Sequence, residues 1–193
     1  MTISILKHEK ILWITRTAVL IALTVVLQFI TIQFAAGLGP GAQFVTGSVV
    51  NFMLIISVMT CGLPTGLTVS IFTPILPTLL GFGPMWPIVP FIAAGNMALV
   101  TAWHFIGNRD ILNTYIAYCA ALIVGAAAKF LVLYIGVVQI AIPYILGLPV
   151  DSPPAILMSF MFSWPQLITA AAGGICAIII LPALLKAIKQ RRQ

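Results

Sequence analysis

Between Arg16 and Arg109 the chain carries no Asp, Glu, Lys or Arg. A water-soluble domain cannot be built on such a stretch, because soluble chains are charged at about one residue in four. Over all 193 residues only 6% are charged and 62% are hydrophobic. That apolar content also excludes a disordered chain. The pattern predicts an all-α integral membrane protein, since helices satisfy their own backbone groups inside lipid. Six spans of about 20 residues each use about 120 residues. The rest suffices for short loops and tails. A single six-helix domain over 1–193 is expected, with tails at 1–10 and 186–193, and any ATP hydrolysis is left to another chain.

The expected spans cover 11–36, 47–61, 65–80, 86–106, 112–146 and 155–185, separated by Gly/Pro-rich breaks. The first is too long for the apolar core of a cleavable signal peptide. Eight of the nine basic residues, Lys7, Lys10, Arg16, Arg109, Lys186, Lys189, Arg191 and Arg192, fall at the termini or in one short loop. With the N-terminus in the cytoplasm, six crossings return the C-terminus there, and the loops at 62–65 and 107–111 fall inside. Those at 37–46, 81–86 and 147–154 then fall outside and hold no Lys or Arg. This is the positive-inside distribution, so the formal charge of +6 marks topology and not a nucleic-acid surface. The outer segments are apolar, aromatic and rich in proline. They suit either interfacial anchoring or a lid over an outward-facing pocket.

Lys129 is the basic residue that lies far from both ends of its span. An ionisable group at mid-membrane costs about 2.5–3.5 kcal/mol on insertion scales and marks a functional site by default. It lies about 17 residues, roughly 25 Å, from the inner end of its helix, too far to snorkel inward. No Asp or Glu stands in any expected span to pair with it. Either it reaches the outer interface, or carbonyls, hydroxyls, water or a ligand satisfy it. Helix rise places Asn96, Ser163, Trp164 and Gln166 at a similar depth, roughly 12–17 Å below the outer surface. Pro165 frees a backbone carbonyl one turn earlier. The shared depth points to a polar pocket with an aromatic wall, or to hydrogen bonding between helices. Tyr118, Gly125, Lys129 and Gly136 fall near one face of the fifth span. Gln43 and Trp86, in outer loops, complete the candidate binding set.

Several chemistries are not expected. Cys61, Cys119 and Cys176 are odd in number and lack metal-ligand spacing. His8 and His104 are too few for a metal centre. Ser163 has no triad partners nearby in sequence, and no phosphate loop occurs. Neither a cofactor nor an enzymatic activity is therefore expected.

Six spans in about 190 residues, both ends inside, Ala18 and Ala22 in an Ala-x-x-x-Ala of the first span, a long first outer loop at 37–46 and Phe72-Thr-Pro-Ile-Leu-Pro77 together carry a resemblance. Nearly the whole chain resembles the S component, the substrate-binding membrane subunit, of an energy-coupling factor (ECF) vitamin transporter. The resemblance implies high-affinity binding of one water-soluble vitamin or precursor in a loop-capped pocket at the outer face of a prokaryotic plasma membrane. It implies a membrane coupling subunit, the T component, and two cytoplasmic ATPase subunits as partners. Ala18 and Ala22 would meet the coupling subunit, the loops at 41–46 and 82–86 would be gates, and the S component would topple to deliver its cargo. Lys129 with amide donors suits an anionic or strongly accepting ligand. Pantothenate ranks first on that ground. Riboflavin, a pyridoxine-type ring or a pyrimidine precursor would instead stack on Trp164, Trp86 and the Phe residues. A solitary channel or facilitator is the main alternative, followed by an intramembrane enzyme and a scaffold.

Overall fold

The computed structural model describes residues 2–108 and 113–190, without the side chains of 2–9, 36 and 40. Arg109, Asp110, Arg191 and Arg192, the expected start of the fifth span at Leu112, and the side chains of Lys7 and His8 lie outside the described residues. Among the described residues every regular element is helical.

Helix α1 spans Thr2–Ala35. A 3₁₀ segment, Ala36–Gly41, turns the chain at Gly39, whose φ is +54°. Helix α2 is Ala42–Cys61 and α3 is Leu63–Leu79. Gly62, at φ +87°, makes the abrupt join between them. A short 3₁₀ turn at Trp86–Ile88 leads into α4, Val89–Gly107. Helix α5, Thr114–Leu133, is capped by the Asn113 side chain and continues as a π-helical segment, Tyr134–Ile145. Helices α6, Pro153–Met161, and α7, Pro165–Gln190, follow.

Five stretches are long and apolar enough to cross a membrane: Lys10–Ala35, Ala42–Cys61, Trp86–Gly107, Thr114–Ile145 and Pro153–Gln190. The other, Leu63–Leu79, has 17 residues. It rises about 25 Å, just short of a typical hydrocarbon core.

The distribution of side chains is inverted relative to a soluble protein. Phe34, Leu79, Ile123 and Ile179 are exposed, whereas Thr24, Asn51, Ser57, Thr65, Ser70, Asn96, Lys129 and Thr169 are buried. Such a surface suits lipid, and the buried polar groups find partners inside. Thr17 and Thr65 join α1 to α3 by a 3.1 Å hydrogen bond. Helix α2 is central and packs on α1, α3, α4 and α7, while α5 lies against α4 and α7. One apolar cluster fills the half of the bundle around Leu54, Val58, Leu99, Trp103 and Leu181. A second gathers Ile88, Leu133, Val137, Ile142 and Phe162 towards the opposite end.

Several boundaries differ from the sequence expectation. Helix α1 begins at Thr2 and α7 ends at Gln190, so both reach into the stretches expected as tails. Helix α2 starts at Ala42, five residues before the expected 47, so Gln43 and Thr46 sit on a helix and not in a loop. The single helix expected over 155–185 is two helices, parted at Phe162-Ser163-Trp164. Pro165 is the cause: it has no N–H to give the carbonyl of Met161 and cannot continue a regular turn. The fifth span leaves α-helical geometry after Leu133, well before Pro143.

Candidate binding site

A cavity of about 370 Å³ opens at the end of the bundle that carries the turns around Gly39 and Phe82-Gly-Pro84. That volume stands near the lower end of the about 300–1,000 Å³ typical of small-molecule sites. Ile32, Val50, Ile92, Leu133, Phe162 and three prolines make its walls largely apolar. The polar groups on those walls are few, and each has a local structural origin.

Lys129 projects from α5 and is 4% exposed. Its Nζ donates to Asn51 Oδ1 on α2 at 2.5 Å and to Asn96 Oδ1 on α4 at 2.8 Å. Asn51 Nδ2 donates in turn to Thr169 Oγ1 on α7 at 3.3 Å, and that hydroxyl donates to the Gln166 carbonyl at 3.1 Å. One lysine thus ties three helices through two amides, with a fourth helix behind Asn51. This is how a buried ammonium is held without a carboxylate: its desolvation is offset by hydrogen bonds to amide oxygens. The face reading of the fifth span agrees with burial, since Tyr118, Gly125, Lys129 and Gly136 are all buried. Gly125 is close to Leu99 and Trp103, and Gly136 lies against Phe91, so α4 and α5 approach closely there.

The break between α6 and α7 supplies the second polar group. Pro165 leaves the Met161 carbonyl without its helical donor, and two glutamine side chains take its place. Gln166 Nε2 donates to it at 2.9 Å and Gln43 Nε2 at 2.5 Å. The missing proline N–H therefore fixes both glutamines on the cavity wall. Around the mouth, the turn after α3 folds back on itself. Phe82 and Gly83 N–H groups donate to the Pro77 carbonyl, and Thr78 Oγ1 donates to Pro74 and Pro84 carbonyls. A Cβ at Gly83 would collide with the Thr78 backbone, so this turn admits only glycine there. Phe82 then rests edge-on against Phe29 of α1, with ring centroids 5.4 Å apart.

Lys129, Asn96, Gln166 and Gln43 line the cavity. Trp86, Ser163 and Trp164 do not. Trp86 is 53% exposed on the 3₁₀ turn before α4. Ser163 Oγ is spent on the Phe160 carbonyl at 2.9 Å. Trp164 is 50% exposed and packs against Phe44 and Phe160 on the outside of the helix break. The aromatic wall expected from Trp164 is instead supplied by Phe82 and Phe162. Asn51, Gln28, Thr46 and Thr73 are further polar residues at the site or next to it. Asn51 was legible in principle, because an amide in a charge-free span falls under the same rule that singles out Asn96.

Beyond Lys129 the bundle closes. Leu99, Val100 and Trp103 on α4, and Leu54, Ile55 and Val58 on α2, are at most 1% exposed. Among the described residues no cluster of three or more His, Cys, Asp or Glu side chains is arranged to hold a metal ion. Ala18 and Ala22 stand far from this chemistry, both exposed on α1.

No protein-family model, no curated protein and no solved structure matches the chain.

Proposed function

We propose that this chain is the substrate-binding S component of an ECF-type importer, binding a water-soluble vitamin or precursor at the outer face of a prokaryotic plasma membrane. The observation that carries the reading is the cavity: Lys129 and Asn96 line it, and a layer of fully buried, mostly apolar side chains lies beyond them. A channel or facilitator needs a continuous wet path, and the sealed layer of Leu54, Leu99 and Trp103 argues against one. A binding subunit needs a pocket of small-molecule size, and a cavity of about 370 Å³ supports that. The exposed Ala18 and Ala22 give α1 a flat lipid-facing strip against which another membrane helix can pack closely. In this reading that strip meets the T component, and two cytoplasmic ATPase subunits provide the energy. The chain itself performs no catalysis. Pantothenate is the first cargo to test. Riboflavin, pyridoxine-type rings and pyrimidine precursors come after it, because Trp86 and Trp164 do not line the cavity.

The test is purification from native membranes in mild detergent. A T component and two ATPases should accompany the chain, and a small molecule should be released from it on denaturation. Changing Ala18 and Ala22 together to Trp should abolish ATP-dependent uptake in proteoliposomes and leave binding intact. A chain that purifies without partners and conducts solute without ATP would refute the reading.

A further inference from the structure

Three polar atoms of cavity-lining residues are buried without any hydrogen-bond partner: Asn96 Nδ2, Gln43 Oε1 and Thr46 Oγ1. Buried polar groups are nearly always paired, so each orphan asks for a partner. Their chemistry is not mixed at random. Asn96 gives its oxygen to Lys129, so the orphan amide nitrogen is a donor beside the ammonium. An ammonium has three protons. Two go to Asn51 and Asn96, and one is left. The base of the cavity is therefore a donor pole, positive when Lys129 is protonated, with no carboxylate in the described structure to balance it. At the mouth the polarity reverses. Gln43 spends its amide nitrogen on Met161, so its free oxygen is an acceptor, and Thr46 lies one turn further along the same helix. Gln43, Thr46 and Asn51 all stand on α2, so the two poles lie at different levels of the bundle, with Thr46 about 7 Å and Gln43 about 12 Å along that helix from Asn51.

We propose that the cavity takes a small carboxylic acid bearing a hydroxyl or amide N–H at its far end, bound as its anion. The carboxylate accepts from Lys129 Nζ and Asn96 Nδ2. The distal donor reaches Gln43 Oε1 and Thr46 Oγ1, and an apolar middle lies along Ile32, Val50 and Ile92. The assignment rests on the reading of this cavity as the cargo site, and it narrows the cargo to one chemical class. Flavins and pyridoxine-type rings, which lack the carboxylate, are excluded by it.

The test is equilibrium binding to the purified full chain in detergent, stripped of endogenous ligand by mild denaturation and refolding or by extensive dialysis. The probes are two acids that carry distal donors, pantothenate and biotin, each paired with a neutral counterpart, panthenol and biotinamide. One acid should bind, and its neutral counterpart should bind about 10- to 100-fold more weakly, the loss of one or two charge-assisted hydrogen bonds. Lys129→Met should erase the difference within that pair. Because Lys129→Met removes a packing tie, Gln43→Leu gives a second reading at the far pole. It should weaken the acid at least several-fold while leaving the preference for acid over neutral form intact. If a neutral molecule co-purifies, or neither acid binds while T component and ATPases still assemble, the inference is overturned and the import reading stands. If no ligand binds and no partners assemble, both fall.

Discussion

Gly173 sits where α7 crosses α2 with no room for a methyl group. A Cβ there would lie 2.5 Å from the Ser48 carbonyl oxygen and 2.8 Å from the Phe52 nitrogen. Ordinary contact begins near 3.4 Å, so the helices must separate by about 0.9 Å at that point. Both obstacles are backbone atoms, and no rotamer relieves them. Gly174, the next residue, offers an internal control. Its Cβ would meet the Cδ1 end of Leu122, a flexible side chain that can move aside. Replacing either glycine with alanine brings the same gain in helix propensity, about 1 kcal/mol, so that term cancels in the comparison. The difference that remains is the overpacking cost at Gly173, about 1–3 kcal/mol. For a chain of this length that corresponds to about 2–12 °C in Tm. Tryptophan fluorescence of the two variants in one detergent, heated in parallel, reads it directly. Gly173→Ala should melt lower than Gly174→Ala by that interval. Asn51 lies beside the same crossing, so Gly173→Ala should also weaken ligand binding without touching the cavity wall. Equal melting temperatures would refute the close-crossing argument.

Three further outcomes are expected. Asn51→Leu should cost about 1–3 kcal/mol by leaving Lys129 a single protein acceptor, and adding Lys129→Met together with Asn96→Leu should recover most of it, because an apolar triad has no unmet polar demand; thermal melting decides, and a triple variant less stable than the single one would refute the accounting. Pro165→Ala should restore a donor to the Met161 carbonyl, displace Gln43 and Gln166, raise Tm and lower affinity for the co-purifying ligand; unchanged affinity would show that the helix break does not shape the site. With the three native cysteines changed to Ala, Val150→Cys, which replaces a side chain 76% exposed, should react with an impermeant maleimide on intact cells, and Asn108→Cys only after permeabilisation; the reverse pattern would invert the topology.

Much of the helical layout was legible because charge-free apolar runs bounded by Gly and Pro leave few choices of span. The ends of α2, α3 and α4 on the Gly62 and Asn108 side fall within a residue or two of expectation. On the opposite side α1 and α3 also end within a residue of expectation, but the starts of α2 and α4 were less legible. There the chain forms short 3₁₀ turns and an early α2 start, and apolar composition does not distinguish a loop from another helical turn. Lys129 and Asn96 were legible as polar groups at one depth. Depth alone does not give direction, and Trp164 shows the cost: it shares the level of Gln166 yet faces outward, because the break at Pro165 resets the helical phase. Asn51 and the role of the Met161 carbonyl depend on which helices are neighbours, a property of the assembled bundle.

The π-helical segment at Tyr134–Ile145 changes the gearing of the fifth helix. Up to Leu133 its buried positions recur at Tyr118, Ala121, Gly125, Lys129 and Leu133, three or four apart. Beyond it they come as Gly136-Val137 and then Ala141-Ile142, five apart. A wider ring turns less per residue, so the segment meshes with its neighbours on a different pitch from the half that presents Lys129. The two halves can then be tuned separately: residues can vary in the upper part, against α6, without rotating the lysine away from its amides. Shortening the segment by one residue would couple them again, and every side chain on one side of the deletion would swing by somewhat less than the roughly 100° of an α-helical residue relative to those on the other.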